Sequence, residues 1–223
     1  MPPPLGYSEE VRIDIWSDVV CPWCYIGKRR FEQALRQASG LGDVEVVHRS
    51  FQLDPSRPKG QTINRREMLM AKYHLTAPQV ETMDARMEQT AAAEGLEYHL
   101  DDGVTGNTAE AHQLLHMARA QGLQDALVER FFKAYFTERK SLFDTESLVA
   151  LAAEVGLDAE AARTALREGT YAAAVEADAQ EARKFGASGV PFFVIDRRFG
   201  VSGAQATEVF VDVLTRAGAT RKG

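Results

Sequence analysis

Apolar and polar residues alternate over Val11-Arg-Ile-Asp-Ile-Trp-Ser17, a run rich in β-branched side chains, and this pattern predicts a strand. A short turn then reaches Cys21. Pro22 predicts a helix start, because proline needs no backbone N–H at the first helical position, and the helix is expected to run to about Ser39, where Gly40 and Gly42 end it. Val44 to Leu53 reads as a second strand, broken by Asp54-Pro-Ser-Arg-Pro-Lys-Gly60.

From about Ile63 to Gly186 the period changes to steps of three and four, and almost all of the stretch is expected to be helical. Met68, Met70 and Tyr73 mark one segment, and Val80, Met83, Met87 and Ala91 the next. Further helices are predicted to start near Thr108, Leu123, Thr145, Asp158 and Tyr171, with Gly122, Gly156, Gly169 and Gly186 as stops. The methionine and aromatic stripes, such as Phe132, Tyr135 and Phe136, read as core rather than as a cofactor box. Strand character returns in Pro191-Phe-Phe-Val-Ile-Asp196 and, past a turn at Arg197 and Arg198, in Phe199-Gly-Val-Ser202; a helix over Ala204 to Ala217 follows.

The outer segments form one α/β unit: strand, crossover helix and parallel strand, completed by a hairpin and a terminal helix. The helical block is then an insertion. The expected division is residues 1–62 with 187–223 as the discontinuous α/β domain, and 63–186 as the inserted helical domain.

Composition narrows the function. With 223 residues and 45% hydrophobic positions the chain is long enough to build a core without staples. No apolar run approaches the roughly 18 residues that span a bilayer, so no membrane partner is expected. A net charge of -6 argues against a nucleic acid partner, and Lys28-Arg29-Arg30 is too short a basic run to reverse that. The opening MPPPLGYSEE lacks the charged start and apolar core of a secretory signal, which leads to an expected cytoplasmic location.

Both cysteines fall in Cys21-Pro22-Trp23-Cys24. In a reducing compartment a lone C-x-x-C serves redox cycling or metal binding more often than permanent stapling. With Pro22 as the first helical residue, Cys21 takes the N-cap, exposed and facing the free N–H groups, where its thiolate should be stabilised. Cys21 is therefore the expected attacker on a disulfide. Cys24, one turn in and directed back toward the helix start, is expected to resolve the mixed disulfide, and Pro22 and Trp23 to tune the potential. The expected partners are protein or small-molecule thiols and disulfides, with glutathione as one candidate, and no cofactor is expected. The sequence leaves monomer and homodimer both open.

Two other readings compete. Cys21 and Cys24 with His112 and His116, which share a helical face, can make a zinc-stabilised or redox-switched interaction module, though the long separation and the helix start at Pro22 are unlike a zinc knuckle. Metal binding is therefore not the expected role. The same histidines lack the glutamate of a metalloprotease motif, since Gln113 stands there. Asp14 and Asp18 precede the cysteines and either can relay protons, but a solvated or capping carboxylate is the expected role.

The segments SDVVCPWCYIG at 17–27, FQLDP at 51–55, NTAEAH at 107–112, GASGVPFFVI at 186–195 and SGAQ at 202–205 together resemble the DsbA family of thioredoxin-fold oxidoreductases, in its FrnE-like branch associated with polyketide biosynthesis. This resemblance implies a thioredoxin-like fold carrying a large all-helical insertion between the second strand and the proline strand. It implies a disulfide oxidoreductase or isomerase, a cis bond at Val190-Pro191 facing Cys21, a substrate-pairing role for the Val190 backbone, and His112 bordering the substrate site. The kappa-class glutathione transferases and 2-hydroxychromene-2-carboxylate isomerases share the architecture, so a glutathione-dependent isomerase or transferase is the rival enzyme. Those relatives carry serine where Cys21 stands, and a charged segment where this chain has Ser-Gly-Ala-Gln.

Overall fold

The computed structural model describes residues 10–101 and 103–220. The segment on which the expectation about a secretory signal rests falls largely on residues 1–9, outside the described residues.

Strand β1 (Val11–Ser17) leads into helix α1 (Pro22–Gln37), and β2 (Val44–Ser50) returns parallel to β1 with Val11 opposite Val44 and Ser17 opposite Ser50. β2 stops three residues before the expected end at Leu53. Strands β3 (Thr62–Asn64) and β4 (Val104–Gly106) pair antiparallel as a separate small sheet, bracketing α2 (Arg65–Tyr73) and α3 (Ala77–Ala93). This is a correction to the expectation of an all-helical block. Then follow α4 (Ala109–Arg119), α5 (Gln124–Phe136), α6 (Thr145–Glu154), α7 (Ala159–Glu168) and α8 (Ala172–Lys184). Strands β5 (Phe192–Ile195) and β6 (Phe199–Ser202) and helix α9 (Thr207–Ala219) close the described chain.

The main sheet has the order β2-β1-β5-β6, with β5 antiparallel to both its neighbours. The alternation in β1 decides what each face meets. Val11, Ile13 and Ile15 join Phe193, Ile195 and Val201 against Phe31 of α1 and Phe210 and Leu214 of α9. The opposite face presents Trp16, Phe192 and Val194 to Ala182 of α8, and the Trp16 indole N–H donates to the Asp178 carbonyl at 2.8 Å. Burying each of these large side chains contributes roughly 1.5–3 kcal/mol.

Helix α1 lies between two cores. Its Phe31 and Ala34 pack on the sheet, while Cys24, Tyr25 and Ile26 belong to the core of the helical insertion together with Leu114, Phe132 and Phe136. Tyr25 stacks on Phe132 at 4.8 Å and Tyr98 on Phe136 at 4.6 Å, so an aromatic stack backs the start of α1. The basic run inside α1 is spent within the molecule. Lys28 meets Glu32, Asp125 and Glu129, Arg29 meets Glu32 and Glu129, and Arg30 meets Glu94.

Candidate active site

Cys21 is the N-cap of α1, in an extended conformation with φ -89° and ψ 113°, and Pro22 follows as the first helical residue. The Cys21 amide donates to the Asp18 carbonyl and the Cys24 amide to the Cys21 carbonyl, each at 3.0 Å. These turn bonds bring both sulfurs to one end of the helix, and both are free thiols. Cys21 is 4% exposed, not the open thiol expected from its place at a helix start, because the loop carrying Val190 lies over it. The Cys21 thiol donates to the Val190 carbonyl at 3.6 Å.

The Val190-Pro191 peptide bond is cis. The Pro191 carbonyl accepts from the Gly203 amide at 2.8 Å, which ties this loop to the Ser-Gly-Ala-Gln segment. Helix α1 approaches the loop at Gly27, where an added Cβ would lie 2.9 Å from Pro191 Cγ and 3.4 Å from Ala204 Cβ. Trp23, between the cysteines, is 43% exposed and stands at the lip of the site.

Cys24 is sealed, with 2% exposure. Burial, then the bond and the charge of the neighbouring Cys21, push the Cys24 thiol well above the ordinary value; the Asp18 backbone works against this rise and the Asp18 charge adds to it. Asp18 is itself buried, which corrects the expectation of a solvated or capping carboxylate. Its Oδ2 accepts from the Leu53 amide at 2.8 Å, and its Oδ1 lies 3.3 Å from Nε2 of His112. Asp14 is buried too, and is held by Arg12 and Arg49.

His112 is 1% exposed and turned to Asp18. His116, one turn on, points elsewhere, 3.0 Å from Asp178 and 3.2 Å from Ser50 Oγ. The two histidines thus serve different carboxylates. Among the described residues no group of three or more histidine, cysteine or acidic side chains is arranged to hold a metal ion.

A groove of about 1000 Å³ opens beside Cys21, between the start of α1 and the α2–α3 pair, with β4 on its floor. Met68, Leu69, Met83 and Met87 form much of its wall, and Trp23 and Val190 border it next to the thiol. Met83 lines this groove, while Met87 and Tyr135 both line it and pack against the core of the insertion. Polarity alone gave no sign of the groove: its wall combines α2, α3 and β4, which are brought together by the β3–β4 pairing.

The family model described as a DSBA-like thioredoxin domain matches residues 12–215. A probable DsbA oxidoreductase from Streptomyces coelicolor, SCO1869, is similar at 47% identity and TM-score 0.90, over 94% of this chain and 90% of that one. The fold also resembles a 2-hydroxychromene-2-carboxylate isomerase at TM-score 0.72 and 16% identity, over 95% and 98% of the two chains. The cytosolic disulfide reductase DsbM from Pseudomonas aeruginosa, also solved with GSH, is similar at TM-score 0.61 and 20% identity, over 95% and 97%.

Proposed function

Because the chain belongs to the DsbA-like thioredoxin-domain family, we propose that it is a thiol-disulfide oxidoreductase or isomerase in which Cys21 attacks and Cys24 resolves. The observation that carries this reading is the inequality of the two thiols: Cys21 borders the groove, whereas Cys24 is sealed behind it with its proton held tightly.

In the proposed cycle the Cys21 thiolate attacks one sulfur of a substrate disulfide, forming a mixed disulfide and releasing the first thiolate. Cys24 then attacks Cys21 Sγ, and its proton passes to the Asp18 carboxylate, whose field already reaches that thiol. The second substrate thiolate leaves as the Cys21–Cys24 disulfide forms. His112 positions Asp18 through Nε2, and the Leu53 amide holds the other oxygen. Pro22 and Trp23 set how many backbone donors reach the Cys21 sulfur and so tune the potential.

Val190 and Pro191 are the proposed substrate-side residues, and the Val190 carbonyl that holds the resting Cys21 thiol is freed when that sulfur reacts. Residues 1–62 and 187–223 are assigned to the redox domain and 63–186 to the insertion that shapes access to it. The proposed setting is cytoplasmic, where a lone C-x-x-C is kept available for cycling. No helix among the described residues is long and apolar enough to cross a membrane.

Insulin reduction and refolding of scrambled ribonuclease test the activity. The expected result is catalysis above background by the wild-type protein and background rates for Cys21→Ser; equal rates for the two proteins would overturn the reading.

A further inference from the structure

The groove beside Cys21 carries charged residues, and all of them but Lys72 are already matched within the protein. Arg57 lies 3.0 Å from Asp54, and Arg65 holds Asp84 through two bonds at 2.8 and 2.9 Å. Asp18 is engaged by His112 and the Leu53 amide. Lys72 stands at the rim, 5.6 Å over the Tyr73 ring. A ligand with two carboxylates, such as glutathione, could meet Lys72 with one of them, but for the other it would have to break these pairs or leave the charge poorly matched in a largely apolar cleft. An apolar group meets no such cost, since Met68, Leu69, Leu75, Met83 and Met87 offer it soft, adaptable contacts next to the reacting sulfur.

The wall also bears on the size of the occupant. Helices α2 and α3 satisfy their interior backbone groups along their own axes, so along that wall an extended polypeptide finds no main-chain partners and can pair only at the Val190 end, next to the thiol. A volume of about 1000 Å³ suits a small molecule.

Resting on the proposed thiol-disulfide exchange, we propose that the groove selects low-molecular-weight disulfides bearing a bulky apolar group on sulfur, and disfavours glutathione disulfide. The chemistry is unchanged and balanced: the reduced protein and R–S–S–R′ give the Cys21–Cys24 disulfide, RSH and R′SH. Two electrons move from the protein to the substrate, and the two thiol protons go to the leaving thiolates.

Stopped-flow oxidation of the full-length reduced protein tests this with four probes: 2-hydroxyethyl disulfide, 2-phenylethyl 2-hydroxyethyl disulfide, glutathione disulfide, and a mixed disulfide of 2-mercaptoethanol with an extended peptide carrying phenylalanine beside its cysteine. Each rate constant is divided by that of the same probe with dithiothreitol, which removes intrinsic reactivity. The phenylethyl probe is expected to lead all three others by about 10-fold or more, the return for burying a ring beside the sulfur. Met83→Ser should remove most of that lead, and Met83→Leu should keep it. Equal normalised rates, or a lead for glutathione disulfide or the peptide, would overturn the proposed selectivity while leaving thiol-disulfide exchange intact. Failure of the native protein to react with any probe would overturn both.

Discussion

At the scale of single residues, the two cysteines differ through what surrounds them rather than through their positions in the motif. Cys24 is buried and stands beside Cys21, and both effects favour its protonated form. The sign of the resulting linkage follows from where the proton is held. In the folded, reduced protein Cys24 keeps its proton at a pH where the unfolded chain releases it, so this contribution to stability is complete below the ordinary thiol value of about 8.5 and is lost as pH rises toward the raised one. Thermal melts of the reduced protein between about pH 8 and pH 10 are expected to show falling stability, and Cys24→Ala should flatten the fall. A second prediction concerns Asp18. Asp18→Asn keeps the shape but cannot accept the Cys24 proton, so release of the mixed disulfide should slow about 10-fold or more while attack by Cys21 is little changed. Rapid-quench separation of the two steps checks this. His112→Gln should have a smaller effect in the same direction and shift the pH profile of release.

Much of this site was legible in the chain. The cysteine spacing and Pro22 placed Cys21 at the helix cap, as the structure has it. The burial of Asp18 was not legible, because an aspartate before a turn reads as a cap, and its true partners come from Leu53 and His112, far along the chain.

At the scale of elements, close contact between α1 and the Val190-Pro191 loop is decisive. Gly27 permits it. In Gly27→Ala the new methyl group would press on Pro191 and shift the Val190 carbonyl away from Cys21. The expected outcome is a roughly 10-fold loss of disulfide exchange, with about 1–3 kcal/mol of destabilisation and unchanged helix content. Kinetics beside circular dichroism checks both parts.

Element starts were well marked where a side chain does the capping. Asp144 and Asp158 accept from the Ser147 and Ala161 amides, and Gly169 ends α7 with φ 66°. Strands β3 and β4 were missed because each has three residues, too few for a period of two to show, and their pairing joins distant parts of the chain. That missed pairing helps shape the groove, so the same lack of local signal concealed the substrate-facing wall.

At the scale of the whole molecule, a buried ionic junction ties the insertion to the sheet. Asp178 of α8 accepts from Arg49 at 2.8 Å and from the Ser50 amide at 2.9 Å, and it meets His116 at 3.0 Å. Burial alone would raise its carboxyl, but His116, the Ser50 amide and Arg49 outweigh that and hold it below the usual carboxylate value. Its stabilising share is therefore present above about pH 4 and is lost as pH falls through the lowered value. Asp178→Ala leaves Arg49 and the Ser50 amide short of a buried partner and should cost on the order of 3 kcal/mol, read from urea unfolding at neutral pH. This junction and the shared core around Tyr25 and Phe132 keep the groove wall aligned with the thiols.

The central claim is a division of labour between Cys21 and Cys24, and intact-protein mass spectrometry after brief exposure to 2-hydroxyethyl disulfide tests it most directly. The wild-type protein is predicted to become two hydrogen masses lighter, with Cys21 joined to Cys24. Cys24→Ser should instead hold one mercaptoethanol adduct, mapped to Cys21, and Cys21→Ser should stay largely unmodified. An adduct on Cys24 in Cys21→Ser forming as fast as that on Cys21 in Cys24→Ser would contradict the account.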